Sequence, residues 1–351
     1  HGQGSGRNHI VLATDGSLSS YEKPYPVEPL DENGSAAEMR HWDPDCFIVG
    51  DMYYAISRGA NPPLMKSTDL RTWTRVGDFL RNEMPDVLIG EDISCANFFP
   101  LDGKWMLLCI SHPFGCRYYL GDWDAHAEQF VPGTHGRMNW RRPDQPVYDT
   151  SYRDVFAPES VLTPDGRRVM WAWLFTIDEA LQGKTIQSLP RELSLAADGG
   201  LRIRPLREFE SLRREATVVR DVTVRPPERP HSAAAFERVA ELEWEACEIV
   251  VTIDRGEAER KRFGLQLFAD DDHEGLTVMV RPENGTLRVG STEAPFRVRD
   301  LPDGEDVELR VFVDRYLVEV FANDRQALAA AHMEYRAASE LRAYSYGGPT
   351  R

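Results

Sequence analysis

Apolar residues in this chain come in short alternating runs, broken every few positions by Asp, Asn and Gly. That is the period-two pattern of strands joined by tight turns. Residues 46–49 and 53–56 flank Gly50-Asp51, Phe98-Phe99 and residues 105–110 flank Asp102-Gly103, and Val161-Leu162 and residues 169–174 flank Asp165-Gly166. Each hairpin follows an acidic opening: Asp43 in Arg40-His41-Trp42-Asp43-Pro44-Asp45, Glu91-Asp92, and Asp154. The spacing is 49 residues from Asp43 to Asp92 and 62 from Asp92 to Asp154. A second element also recurs. Ala13-Thr14-Asp15 with Tyr21-Glu22-Lys23 matches Ser67-Thr68-Asp69-Leu70 with Trp73-Thr74, 54 residues on, and Gly121-Asp122-Trp123-Asp124 places Asp122 another 53 along. A period near 50 with about four strands in each predicts a β-propeller.

The pattern changes after Leu201-Arg202-Ile203-Arg204-Pro205. Leu206, Phe209 and Leu212 have helical spacing and predict a short helical connector over 206–215. Alternation then resumes, with Asn284-Gly285 between residues 276–280 and 287–289, and Asp314-Arg315 between 309–313 and 317–321. Strands at this spacing predict a β-sandwich. Asn284-Gly285-Thr286 also spells a glycosylation sequon, but the Asn-Gly turn accounts for it. The expected organisation is all-β: a propeller over 1–205, a linker over 206–216 and a C-terminal sandwich over 217–351.

Composition narrows the function. A formal net charge of −16 in 351 residues argues against a nucleic-acid surface and suits a neutral or cationic ligand. Aromatic residues at 10%, eight of them Trp, suit stacking on sugar rings as well as filling a β core. The five cysteines (46, 95, 109, 116 and 247) form no CxxC pair and are odd in number. Free thiols are therefore expected in place of a disulfide framework or a zinc site, which favours a cytoplasmic setting. His112 and His135 lack ligand spacing, and no metal or cofactor is expected. No apolar run reaches ~18 residues, so no membrane partner is expected either.

Three segments carry a family resemblance. Ser188-Leu189-Pro190-Arg191-Glu192-Leu193-Ser194-Leu195 resembles the last propeller strand of glycoside hydrolase family 32, the invertases, levanases and inulinases. Val311-Phe312-Val313-Asp314-Arg315 with Val318-Glu319-Val320-Phe321-Ala322-Asn323-Asp324 resembles the signature hairpin of that family's sandwich. Arg167-Arg168-Val169-Met170-Trp171-Ala172-Trp173 resembles the strand that brings a Trp to its substrate pocket. The resemblance implies a five-bladed propeller, then a sandwich, and retaining cleavage of terminal β-D-fructofuranosyl bonds in sucrose or fructans. An aspartate attacks, a glutamate serves as acid and base, and an aspartate in an Arg-Asp-Pro motif stabilises the transition state. Retention requires attacking and donating carboxylates about 5–5.5 Å apart.

Carried onto this sequence, the resemblance makes Asp43 the stabiliser, with Trp42 in place of the arginine. The Glu-Cys-Pro motif of the acid/base falls on Ser94-Cys95-Ala96, so Ser94 holds the glutamate position. Upstream, Glu91 has the residue type and reach, provided a bulge at Ile93 turns it inward, while alternation puts Asp92 on the face of Ser94. Glu159 is a third candidate, as a sugar-hydroxyl acceptor or a substitute acid. Cys95, Asn97, Asp154 and Trp173 join Trp42 and Glu159 as candidate substrate contacts. The family's Asn-Asp-Pro-Asn-Gly-like nucleophile motif is not found. Residues 1–6 read as a loop inside a second blade, so the first blade is expected to be missing and the second partial. Residues 344–351 read as stopping one sandwich strand short. Alternatives of other kinds are a fructan-binding protein without catalysis and a fructosyltransferase. An arabinanase-like hydrolase is less favoured, because such enzymes need not carry this sandwich.

Overall fold

Asp102 and Gly103 both take positive φ, 46° and 83°. That is the type I′ geometry whose twist matches two antiparallel strands. They join Ser94–Leu101 to Lys104–Ser111 with Leu101 opposite Lys104. Gly50 (φ 59°) closes Asp45–Val49 on Met52–Ile56, and Gly285 (φ 66°) closes Leu276–Arg281 on Thr286–Val289. The computed structural model describes residues 7–39, 42–81, 91–112, 115–138, 155–174, 186–226, 234–242, 246–258, 262–270, 272, 275–315, 317–331 and 338–351. Of the expectations above, those resting on residues 1–6, Arg40, His41 and Asp154 lie outside them.

The fold is all-β, a β-propeller followed by a β-sandwich, and the chain divides into two compact units. The first runs to His112 and adds Cys116–Gly136 and Ala157–Glu159. It holds a two-stranded sheet (His9–Ala13, Tyr21–Pro26) and two propeller sheets. One orders Pro29–Leu30, Trp73–Asp78, Pro63–Ser67, Met52–Ile56 and Asp45–Val49; the other orders Gln129–Arg137, Gly115–Asp124, Lys104–Ser111 and Ser94–Leu101. Phe47, Tyr54, Phe79, Phe98 and Phe130 fill the core of this unit, with Phe47 edge-on to Phe98 at 4.7 Å. Antiparallel strands that hide one face this way need large flat side chains to fill the gap.

A carboxylate turn links the last two strands, in chain order, of each sheet of this unit. Asp69 accepts from the backbone N–H of Arg71 and Thr72, and Asp124 from those of His126 and Ala127. Asp15 accepts from Ser17 and Ser19, which pull its pKa down to about 2. These are Asx turns, in which the side chain takes the place of a backbone carbonyl. The repeat therefore falls on Asp124, not on Asp122 as the spacing suggested. Asp122 lies within the strand and pairs with Lys104 at 2.9 Å.

The second unit contains Ser160–Arg351, together with Gly115, Arg137, Met138, Val155 and Phe156. Its propeller sheet orders Val155–Leu162, Arg168–Leu174, Arg191–Leu195 and Leu201–Pro205. Its sandwich has a six-stranded sheet (Ala234–Glu241, Glu340–Tyr346, Arg262–Ala269, Leu276–Arg281, Thr286–Val289, Thr292–Pro295) and a four-stranded one (Ala246–Ile253, Val307–Asp314, Leu317–Ala322, Gln326–Ala331). Val307, Leu309, Val311 and Val313 alternate inward against Phe263, Leu265, Val278 and Val280. The connector differs from expectation. It is a six-residue 3₁₀ turn, Arg207–Leu212, within which Phe209 packs on Phe312 at 5.8 Å while Leu212 is 70% exposed. One apolar anchor is too little to hold a helix.

The propeller sheet is tied to the sandwich by an ion pair between Arg191 and Glu319, 2.8 Å apart and 0% and 1% exposed. Desolvation pushes the Glu319 carboxyl up, against the pull of Arg191 and the Leu189 N–H. Such a pair is costly to break, because the survivor stays buried and charged. Arg191→Met should lower the unfolding free energy by about 3–5 kcal/mol in urea titration, whereas Arg191→Met with Glu319→Leu should recover most of it. Equal losses in the single and double variants would contradict this.

Candidate active site

The site residues of the first unit start at the entrances of its inner strands. Asp43, Cys95 and Ala157 are non-glycine residues with φ of 45°, 47° and 40°. Left-handed backbone at such residues costs energy and marks places where the chain is forced to turn. Two positions later come Asp45, Asn97 and Glu159, an offset shared by Asp-Pro-Asp, Cys-Ala-Asn and Ala-Pro-Glu. These residues link one entrance to the next. Asp45 Oδ2 accepts from the Phe98 N–H at 2.8 Å; the Asn97 amide donates to Glu159 Oε2 at 3.0 Å and to the Pro158 carbonyl at 3.3 Å. The Cys95 thiol donates to Asp43 Oδ2 at 3.9 Å. Burial, then the charges of Asp43 and Glu159, push that thiol up to about 12, so it stays protonated between two carboxylates.

Glu159 has its pKa raised by desolvation, although the residue as a whole is exposed; the Asn97 amide pulls the other way. The two upstream acids are placed differently. Glu91 is fully buried against the Arg117 guanidinium, which also donates to the Asp92 carbonyl at 2.7 Å and stacks on Tyr119 at 5.1 Å. The bulge in this strand lies between Ser94 and Asn97, not at Ile93, and Glu91 is not turned inward to the pocket but held against Arg117. Asp92 does share a face with Ser94, whose hydroxyl donates to it at 2.8 Å. It also accepts from Arg58 at 3.1 Å, from the His112 N–H at 2.8 Å and meets His112 Nδ1 at 2.7 Å. Against the cost of burial, these partners hold its pKa far below the usual carboxylate range.

Trp42 is 49% exposed, its backbone locked by Ser57 (N–H to Oγ 3.2 Å, Oγ to carbonyl 2.6 Å). Trp173, in the second unit, is 36% exposed and edge-on to Phe156 at 6.3 Å. Sequence reasoning passed over Asp45, Arg58 and Arg117. Asp45 was detectable from its offset to Asn97 and Glu159; the two arginines carry no local signal. Among the described residues, no cluster of three or more His, Cys, Asp or Glu could hold a metal ion.

The fold is thus a β-propeller with Asp43 and Glu159 both acting on Cys95 at its strand entrances, followed by a β-sandwich. The model of the glycosyl hydrolases family 32 N-terminal domain matches residues 7–205, and that of the family's C-terminal region matches 208–350. The chain belongs to glycosyl hydrolases family 32. It is 32% identical to the raffinose invertase of Escherichia coli over 316 residues, covering 81% of this chain and 58% of that protein. It is 27% identical to the levanase of Bacillus subtilis (strain 168) over 319 residues, covering 80% and 44%. The chain thus spans about half the length of these two relatives. The fold matches fructan 1-exohydrolase IIa from Cichorium intybus with a TM-score of 0.66 at 15% identity (96% of this chain, 76% of that one). It matches the exo-inulinase from Aspergillus awamori at 0.65 and 18% (88% and 65%).

Because two carboxylates hold the Cys95 proton in place, removing either charge should acidify the thiol. Asp43→Asn and Glu159→Gln should each speed alkylation of Cys95 by iodoacetamide at pH 9, followed by peptide mass spectrometry. Unchanged rates in both would show that these groups do not share a field.

Proposed function

We propose that this chain forms part of a retaining β-fructofuranosidase acting on sucrose or fructans, with Asp43 as stabiliser and Glu159 as acid and base. The observation that carries the reading is the desolvated Glu159 carboxyl, whose one hydrogen-bond donor among the described residues is Asn97. A general acid must hold a proton near neutral pH, and burial favours the protonated form. Glu91 is sealed against Arg117, and Asp92 is held ionised by His112, Ser94 and Arg58, so neither suits the role. Trp42 and Asn97 would contact the sugar, with Cys95 keeping Asp43 in position.

In this scheme an aspartate attacks the anomeric carbon while the Glu159 proton passes to the departing glycosidic oxygen. The ionised Glu159 then takes a proton from water, which opens the fructosyl ester. Asp43 stays charged and stabilises the developing cation. The sole Asp-Pro pair in these 351 residues is Asp43-Pro44. Assigning it to stabilisation leaves the attacking aspartate to be supplied outside this sequence. A second reading is fructan binding without turnover. Ser94, fully buried in the family's glutamate position, favours it.

A fructose-release assay on the parent protein separates the two. The hydrolase reading expects fructose from sucrose or a fructo-oligosaccharide, with kcat lowered about 10²–10³-fold by Asp43→Asn. Glu159 must be protonated to donate and its pKa is raised, so kcat should fall as pH rises through that value. Glu159→Gln should lower kcat and abolish that alkaline limb. Binding without fructose release, or an alkaline limb that survives Glu159→Gln, would overturn the assignment.

A further inference from the structure

The outer face of the six-stranded sandwich sheet contains a groove of about 200 Å³, large enough for one sugar ring, lined by Phe236, Gln266, Thr277, Met279, Tyr344 and Tyr346 among others. Its shape follows from the register. Phe236 lies opposite Tyr344, Tyr344 opposite Gly264, and Gly264 opposite Met279. One row across the face thus reads aromatic, aromatic, empty, thioether. The empty position is enforced: a Cβ at Gly264 (φ +151°) would stand 2.0 Å from the Val278 carbonyl oxygen.

Tyr344 supplies an independent sign of a ligand. Its side chain is 5% exposed, and its hydroxyl has no hydrogen-bond partner among the described residues. Buried hydroxyls are nearly always satisfied, so one without a partner on a residue that lines a groove marks a place where a small shift of the ring would let a ligand supply the donor or acceptor. The charges around it indicate what comes in. Arg262 is paired with Glu283 and lies over the Tyr346 ring at 5.7 Å; Arg281 is paired with Glu293 at 3.2 Å, and Arg342 with Glu340. Cations already matched by carboxylates offer little to phosphate or carboxylate ligands, whereas the exposed Phe236 ring and the half-buried Tyr346, beside hydrogen-bonding groups, suit a neutral polyol.

We infer that this groove is a non-catalytic binding site for a neutral sugar chain, which holds the protein on its polymer. That the polymer is a fructan rests on the function proposed above. The test is affinity electrophoresis of the full chain through gels containing inulin, levan or, as a control, xylan. The chain should be retarded by inulin or levan, and Phe236→Ala and Tyr344→Phe should each weaken retention at least fivefold. Tyr344→Phe should leave Tm unchanged or raise it, since no protein contact is lost. Asp43→Ala should leave the groove-dependent retention in place, which separates it from binding at the propeller. Several results would overturn the inference: no retardation, retention in both groove variants equal to that of the unsubstituted chain, loss of all retention in Asp43→Ala, or a lower Tm in Tyr344→Phe. Retardation by xylan alone would overturn the fructan assignment. Fructose release by the parent is scored separately, so its absence with groove-dependent retention intact counts against the activity and not the groove.

Discussion

The candidate site depends on one backbone constraint, a left-handed residue at the entrance of each inner strand. Asp43, Cys95 and Ala157 each take a φ that a β-carbon resists. A strained residue of this kind costs on the order of 1–3 kcal/mol and persists only where its surroundings insist on it. Here the gain is geometric. The turn lets Asp45, Asn97 and Glu159 project from the next residue but one, where the first binds the Phe98 N–H and the second binds Glu159. A plain strand entry would keep the hydrogen-bond ladder intact and lose that cross-link. The bulge between Ser94 and Asn97 is the same accommodation seen in the register of one strand.

Behind this ridge, buried ion pairs set what each acid can do. Glu91 and Arg117 neutralise each other out of solvent, and Asp92 gathers Arg58, Ser94 and His112. Both therefore support the site's wall, and Asp92 is held ionised by its partners. Glu159 is the exception, desolvated without a cation beside it among the described residues. Acid and base roles separate when neighbouring carboxylates meet different surroundings. The same chemistry serves architecture elsewhere: Arg191 and Glu319 join a propeller sheet to the sandwich by an ion pair that would be destabilising if either member stood alone.

What could be read from the sequence was what is local. Asp102-Gly103 and Asn284-Gly285 announced their hairpins because positive φ is a property of the turn residues themselves. Short alternating runs announced strands, and the three quoted segments carried the family. Hidden from that reading were pairings across long separations, such as Glu91 with Arg117 and Arg191 with Glu319, since nothing near either residue names its partner. The helical spacing of Leu206, Phe209 and Leu212 misled for a related reason. Periodicity proposes an apolar face, but only tertiary packing decides whether it is buried, and Leu212 is not. Among the three acids, choosing Glu159 required knowing which carboxylates had met an arginine.

The central claim is that desolvation raises the pKa of the Glu159 carboxyl, while His112, Ser94 and Arg58 hold Asp92 ionised. Carbon-13 NMR titration of the chain with labelled glutamate and aspartate side chains tests it directly. The account expects Glu159 to titrate above an exposed glutamate and to move further up in Asn97→Leu, with Asp92 ionised throughout the neutral range. Glu159 titrating at or below the ordinary glutamate value, or Asp92 taking up a proton near neutrality, would contradict it.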